Sequence, residues 1–133
     1  MPKPQPNICN ATCPSRSLLE LLAEKWALLV IFRLRLKPHR TAELRREIGG
    51  VSEKMLIQTL RKLERYGMVT RHDFNEVPPR VEYRLSTLGE SLALPVQQLE
   101  RWVAKNIFEV MKSKERFDAK NIKVSSKAAT KAA

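Results

Sequence analysis

Residues 51–71, VSEKMLIQTLRKLERYGMVTR, restrict the possible folds more than any other stretch of this chain. Leu56, Leu60 and Leu63 recur at i, i+4 and i+7, and Gly67 follows on the same line. That spacing draws a narrow apolar stripe at helical period. At about 100° per residue the opposite face carries Lys54, Gln58, Arg61 and Arg65, with Lys62 alongside. Ser52 suits the N-cap, because its hydroxyl can accept from an orphan amide of the first turn. Gly67 suits the C-terminal end, because a residue without Cβ adopts the left-handed conformation there at little cost. The caps predict a helix of about four turns. One side of it is a core side and the other is basic and amide-bearing. Gln, Arg and Lys are side chains that hydrogen-bond base edges and phosphates in a major groove. Alone, such a face is usually only a solvated one, so the flanking segments decide.

Upstream, Thr41 to Ile48 (TAELRREI) predicts a short helix capped by Thr41, with Leu44 and Ile48 inward and Arg45 and Arg46 outward. Gly49-Gly50 then turns the chain into the basic helix. Two short helices joined by a Gly-containing turn match a helix-turn-helix. Further upstream, Ser15 can cap a short helix holding Leu18, Leu19, Leu21 and Leu22. Lys25 to Leu36 (KWALLVIFRLRL) is apolar on most of its circumference and predicts a central core helix, with Trp26 and Phe32 packed in it. Lys37-Pro38 stops that helix.

Downstream, Met68 to Asn75 and Val81 to Ser86 alternate and are rich in β-branched and aromatic residues, which predicts two strands. Pro78 and Pro79 between them suit a hairpin tip, since proline brings no backbone donor to a ladder. This is a wing with Arg80 at its base. Thr87-Leu88-Gly89-Glu90 fits a capping box. The helix after it carries Leu88, Leu92, Val96, Leu99, Val103, Ile107 and Val110 at spacings of four and three, with a kink expected at Pro95. A stripe that long on the last helix of a small domain has little of its own core to cover, so pairing with a second copy is expected. Residues 1–13, with three prolines and no periodicity, are expected to form a flexible arm. Residues 112–133 are polar, low in complexity and basic, and are expected to be disordered and at most a weak electrostatic tether to DNA.

The chain of 133 residues has a net charge of +11 and a pI near 10.1, which favours a polyanionic partner, most often nucleic acid. The tail contributes +5 of that charge, so residues 1–111 are basic in their own right. No run is long and apolar enough to span a membrane. MPKPQPNICN lacks the apolar core of a signal peptide. A cytoplasmic location with reduced cysteines is expected. There is no Gly-rich phosphate loop, no HExxH and no nucleophile elbow, so neither enzymatic activity nor a cofactor is expected. Cys9, Cys13, His39 and His72 are too widely placed for a usual zinc pattern, and no metal site is expected.

Helices, a basic helix, a two-stranded wing and a terminal helix together make a mostly α fold with a small β-wing, a winged helix-turn-helix. The residues Cys13-Pro14, Lys25-Trp26, Glu43-Leu44-Arg45, Val51-Ser52, Lys54-Met55-Leu56, Leu63-Glu64, Gly67-Met68-Val69, Val77 to Tyr83 (VPPRVEY) and Leu88-Gly89 resemble the HxlR family of bacterial transcriptional regulators, relatives of the MarR regulators. The match runs in order over roughly residues 13 to 103. The resemblance implies N- and C-terminal dimerisation helices within a domain of residues 14–111, and a homodimer on a pseudo-palindromic operator in double-stranded DNA. It implies DNA contacts from Ser52, Lys54, Met55, Gln58, Arg61 and Lys62 on the basic helix, from Arg80 in the wing, and from Arg40 and Thr41 at the entry of the third helix. It also implies oxidant or electrophile sensing at Cys13; apart from the resemblance, Cys9 could resolve a sulfenate at Cys13 within one chain or across the dimer. The chain departs from the family pattern at Glu24, where a Gly is usual, at Thr41, where an aromatic is common, and in Cys9 and the basic tail. No residue announces a small-molecule effector. The competing reading is a non-specific, nucleoid-type DNA-binding protein; a third is a protein-interaction module using the wing and terminal helix.

Overall fold

Six helices and one hairpin follow one another in the computed structural model, which describes residues 5–132 and side chains as far as Lys123. They are α1 (Pro14–Leu22), α2 (Lys25–Leu34), α3 (Thr41–Glu47), α4 (Glu53–Arg65), β1 (Val69–Asp73), β2 (Val81–Leu85), α5 (Thr87–Glu90) and α6 (Ala93–Ala132).

The helix read most closely in the sequence has the ends assigned to it. The Met55 amide donates to Ser52 Oγ at 3.1 Å and starts α4. Gly67 at φ +78 ends it. The Met68 amide reaches back to the Leu63 carbonyl at 2.9 Å and the Gly67 amide to the Glu64 carbonyl at 3.0 Å, the paired bonds of a Schellman turn. Leu56, Leu60 and Leu63 are fully buried. Each such side chain withdrawn from water stabilises the fold by about 1.5–3 kcal/mol. They pack with Ala27, Val30, Ile31 and Leu34 of α2, Leu44 of α3 and Val69, Tyr83 and Leu85 of the hairpin. The winged helix-turn-helix arrangement is therefore built on α2 and α4, but α2 is less enclosed than its sequence implied. Leu29 is 40% exposed, and the helix ends at Leu34, short of Leu36, which is 59% exposed.

The wing is antiparallel, with Val69 opposite Leu85, Arg71 opposite Tyr83 and Asp73 opposite Val81. Asn75 takes φ 52, which Asn tolerates better than most residues, and its amide donates to Asp73 Oδ1 at 2.9 Å. His39 extends this sheet by one bridge: its amide donates to the Tyr83 carbonyl at 2.9 Å, and its carbonyl accepts from the Tyr83 amide at 2.8 Å. The ring of His39 is only 1% exposed; Nδ1 lies 2.7 Å from the Lys37 carbonyl and Nε2 lies 2.6 Å from Glu47 Oε2. His39 thus ties the α2–α3 connection, the end of α3 and the wing together. Among the described residues no group of three His, Cys, Asp or Glu side chains is placed to hold a metal, nor is any helix long and apolar enough to cross a membrane.

Three helix starts shift from their expected caps. Cys13, not Ser15, precedes α1, with Pro14 in the first-turn position where its missing N–H is harmless. Arg40, not Thr41, is the N-cap of α3, and the Arg40 amide donates to Glu43 Oε1 at 3.2 Å. Ser86, not Thr87, caps α5 by accepting from the Gly89 amide at 2.9 Å. The expected kink at Pro95 becomes a break. Pro95 has no N–H to bond the carbonyl of Ser91, and its ring crowds that carbonyl. The regular helix accordingly gives way to a turn at Ser91-Leu92, and α6 starts at Ala93 with Pro95 in its first turn.

The described chain divides at Gln97/Gln98 into two compact parts. The second is the remainder of α6, which continues through the segment expected to be a disordered tail. Low hydrophobicity there excludes a packed core, not a helix. Lys, Arg, Glu and Ala are all strong helix formers, and Lys114 Nζ and Asp118 Oδ2, four residues apart, lie 3.3 Å from each other.

Candidate nucleic-acid interface

The helical period that buries Leu56, Leu60 and Leu63 carries Lys54, Gln58 and Arg61 to the opposite side of α4, where all three are exposed. Met55 is 42% exposed at the edge of this face, and Ser52 is exposed at its start with its oxygen engaged as the cap. Thr59 turns inward and its hydroxyl donates to the Met55 carbonyl at 2.9 Å. Among the described residues no ion pair involves Lys54, Arg61 or Arg65. The face therefore presents cations, an amide and a thioether side by side, with their hydrogen-bonding groups in water.

Two of the expected contact residues are already engaged within the fold. Lys62 Nζ lies 3.1 Å from Glu24 Oε1. Glu24 stands at φ -65 and ψ 136, extended backbone that needs no glycine. The departure from the family pattern at this position is thus accommodated, and its carboxylate faces a cation of α4. Arg80 is more enclosed still. Its Nη2 donates to Glu82 Oε1 at 2.9 Å, Glu76 lies 4.0 Å from Nη1, and its guanidinium stacks 4.2 Å from the Phe74 ring. The hydrogen bond to Glu82, reinforced by the charges of Glu82 and Glu76, pushes its pKa above the ordinary arginine value. Both side chains are thus already paired with protein carboxylates.

At the entry to α3, Arg40 is exposed and Thr41 is half-buried. Glu43 is held ionised below the usual carboxylate range, chiefly by the Arg40 amide and then by Lys37, whose Nζ is 3.4 Å away. Arg45 is loosely paired with Glu53 at 3.8 Å. Exposed Arg84 on β2 was not singled out from the sequence. The alternation that turns Tyr83 and Leu85 inward was the signal for it.

The thiols lie in the first compact part. Cys13 is half-buried at the start of α1, with Sγ 3.0 Å from Ser15 Oγ, and Cys9 is exposed. The Ser15 hydroxyl, followed by backbone groups of Asn7, Ser15 and Arg16, lowers the Cys13 pKa below that of an ordinary thiol. Hydroxyl and amide donors at a helix start stabilise a thiolate.

The family model for the HxlR-like helix-turn-helix matches residues 21–118. The HTH-type transcriptional regulator YtfH of Escherichia coli (strain K12) is 44% identical over 105 residues, which cover 79% of this chain and 83% of that one. The ytfH transcriptional regulator of Salmonella typhimurium is similar in structure, with a TM-score of 0.78 and 40% identity over 84% of this chain and 99% of that one. The redox regulator HypR in its oxidised form matches with a TM-score of 0.66 and 33% identity, over 71% of this chain and 97% of that one.

Proposed function

This chain belongs to the HxlR-like helix-turn-helix family of transcriptional regulators, and from that premise we propose that it is a cytoplasmic, sequence-specific regulator acting as a homodimer on a pseudo-palindromic operator in double-stranded DNA. The observation that carries this reading is the open face of α4, where Lys54, Gln58 and Arg61 stand exposed opposite a buried leucine stripe. Arg61 suits the O6 and N7 acceptors of guanine, Gln58 the N6 and N7 edge of adenine, and Met55 the methyl group of thymine. Lys54, Ser52, Arg40 and Thr41 fit the phosphates that set the register. Lys62 and Arg80 join them after leaving their carboxylates. The second copy would cover the apolar side of α6, where Leu99, Val103, Ile107 and Val110 are exposed.

The regulation proposed for this protein runs through Cys13. Its thiolate attacks a peroxide, takes one oxygen to become a sulfenic acid and releases the alcohol or water. The Cys9 thiol then condenses with it, water leaves, and a disulfide forms within one chain or across the dimer. The lowered Cys13 pKa and the similarity to HypR, a redox regulator, support this step.

An anisotropy titration tests both parts. A duplex from upstream of the protein's own gene should bind tighter than a shuffled duplex by about 10³ or more at physiological salt. Gln58→Ala and Arg61→Ala should each lower operator affinity by about 1–3 kcal/mol and narrow the gap. Mild oxidation should change the gap in the wild type and leave Cys13→Ser unaffected. A panel of candidate operators all bound no tighter than shuffled DNA would replace this reading with a general DNA binder.

A further inference from the structure

We propose that α6 beyond Met111 is a second, sequence-independent contact for the phosphate backbone of bound duplex DNA, made by Lys112, Arg116, Lys120 and Lys123. This rests on the DNA-binding reading above and adds a surface to it. The four cations are spaced four, four and three residues apart. On a helix at about 100° per residue that spacing confines them to an arc of about 80°. At a rise of about 1.5 Å per residue they run along some 16 Å of helix. All four are exposed.

The acids of this segment lie off the arc. Asp118 and Lys114 pair with each other at 3.3 Å on another side of the helix, and Glu115 also falls outside the stripe. The arrangement is not the alternation of signs that stabilises a solvated helix. Lys112 with Arg116, and Arg116 with Lys120, are successive like-charged pairs at i,i+4, each unfavourable for an isolated helix. A polyanion laid along the stripe removes that repulsion. The side of α6 turned away from the stripe carries Val103 and Val110. A second copy seated on the apolar side therefore leaves the cationic side facing water. The match to the family ends at residue 118, so Lys120 and Lys123 extend the stripe beyond the shared domain.

The test uses the full chain. Lys112→Gln, Arg116→Gln, Lys120→Gln and Lys123→Gln are combined, and Lys114→Gln serves as the control. Glutamine keeps a helix propensity close to that of lysine and arginine, and circular dichroism checks that helix content is retained. The combined variant should lose affinity for operator and shuffled duplex by the same factor. The slope of log affinity against log salt should shrink by up to about 3.6 per protomer, since each neutralised phosphate contributes about 0.9. Lys114→Gln should change neither quantity. An unchanged slope in the combined variant overturns the proposal. So does a loss seen only on phosphatidylserine vesicles and on neither duplex, which would reassign the face to a membrane surface. Gln58→Ala run in parallel separates this inference from the operator reading. A wild type without operator preference, but with a slope that the combined variant lowers, would remove the operator and keep the contact. A wild type that binds neither duplex would remove both.

Discussion

Gly89 is the point where α5 meets Met68, just before β1, and adding one carbon there has a calculable cost. A Cβ at Gly89 would overlap the Met68 carbonyl oxygen, lie 3.0 Å from the Met68 carbonyl carbon and 3.3 Å from Leu85 Cδ2. The first two atoms are backbone and cannot rotate away. The Met68 carbonyl also accepts the Ser86 amide at 3.0 Å, and Ser86 Oγ donates to the Gly67 carbonyl at 2.5 Å. Backing α5 off to make room strains both bonds. Overpacking of this kind costs about 1–3 kcal/mol, and weakening a hydrogen bond adds about 1 kcal/mol. Gly89→Ala is therefore expected to destabilise the fold by about 2–4 kcal/mol. In urea this should appear as a lower midpoint with an unchanged slope. In a thermal scan the melting temperature should drop by about 4–8 °C for each kcal/mol. Gly49→Ala is the control, because nothing lies within 4 Å of its added carbon; it should stay within about 0.5 kcal/mol of the wild type. Equal stabilities for the two variants would refute the argument that close backbone approach demands glycine at position 89.

Other outcomes follow from the same geometry. Ser15→Ala should move the pH profile of Cys13 alkylation to higher pH, since the hydroxyl is the largest cause of its lowered pKa; mass spectrometry with iodoacetamide at several pH values reads it, with Cys9 as internal reference. Glu43 has a folded pKa below its ordinary value of 4.5, so its contribution to stability is complete above that value and is lost as pH falls through the folded one. The gap in unfolding free energy between wild type and Glu43→Ala should therefore be widest near neutral pH, on the order of 1 kcal/mol, and shrink on acidification. Arg80→Ala should lower the salt slope of duplex binding by less than the about 0.9 expected of a free phosphate contact. Glu82→Gln should raise that slope by loosening the carboxylate's hold on Arg80.

Legibility in the sequence followed how local each cause is. Both ends of α4 could be read because Ser52 and Gly67 act within one helical turn, and the leucine stripe placed Lys54, Gln58 and Arg61 on the outer face. Where two neighbours could serve as a cap, the tertiary fold chose. Ser86 rather than Thr87 caps α5 because Ser86 is also bonded to Gly67 and Met68. The engagement of Lys62 by Glu24, 38 residues away, left no trace in either local segment. The same holds for His39, whose ring joins Lys37 to Glu47. Arg80 was recognisable as a wing residue, yet its closure by Glu82, Glu76 and Phe74 depends on how the hairpin folds back. The helix running past Lys112 left no signal in composition, which measures the capacity to bury surface, and a solvated helix needs none.

An unbroken helix from Leu99 to Lys123 also carries a phase. Each residue inserted or deleted between Val110 and Lys112 turns everything after it by about 100° relative to everything before. One residue would swing the cationic stripe a quarter-turn around the axis, and two would bring it toward the side occupied by Val103 and Val110. An insertion of seven residues or of eleven brings the stripe back to within about 20° of its original azimuth, on either side of it. The length of this helix is thus quantised in what it can gain or lose while keeping two faces apart, a constraint that none of its individual side chains reveals.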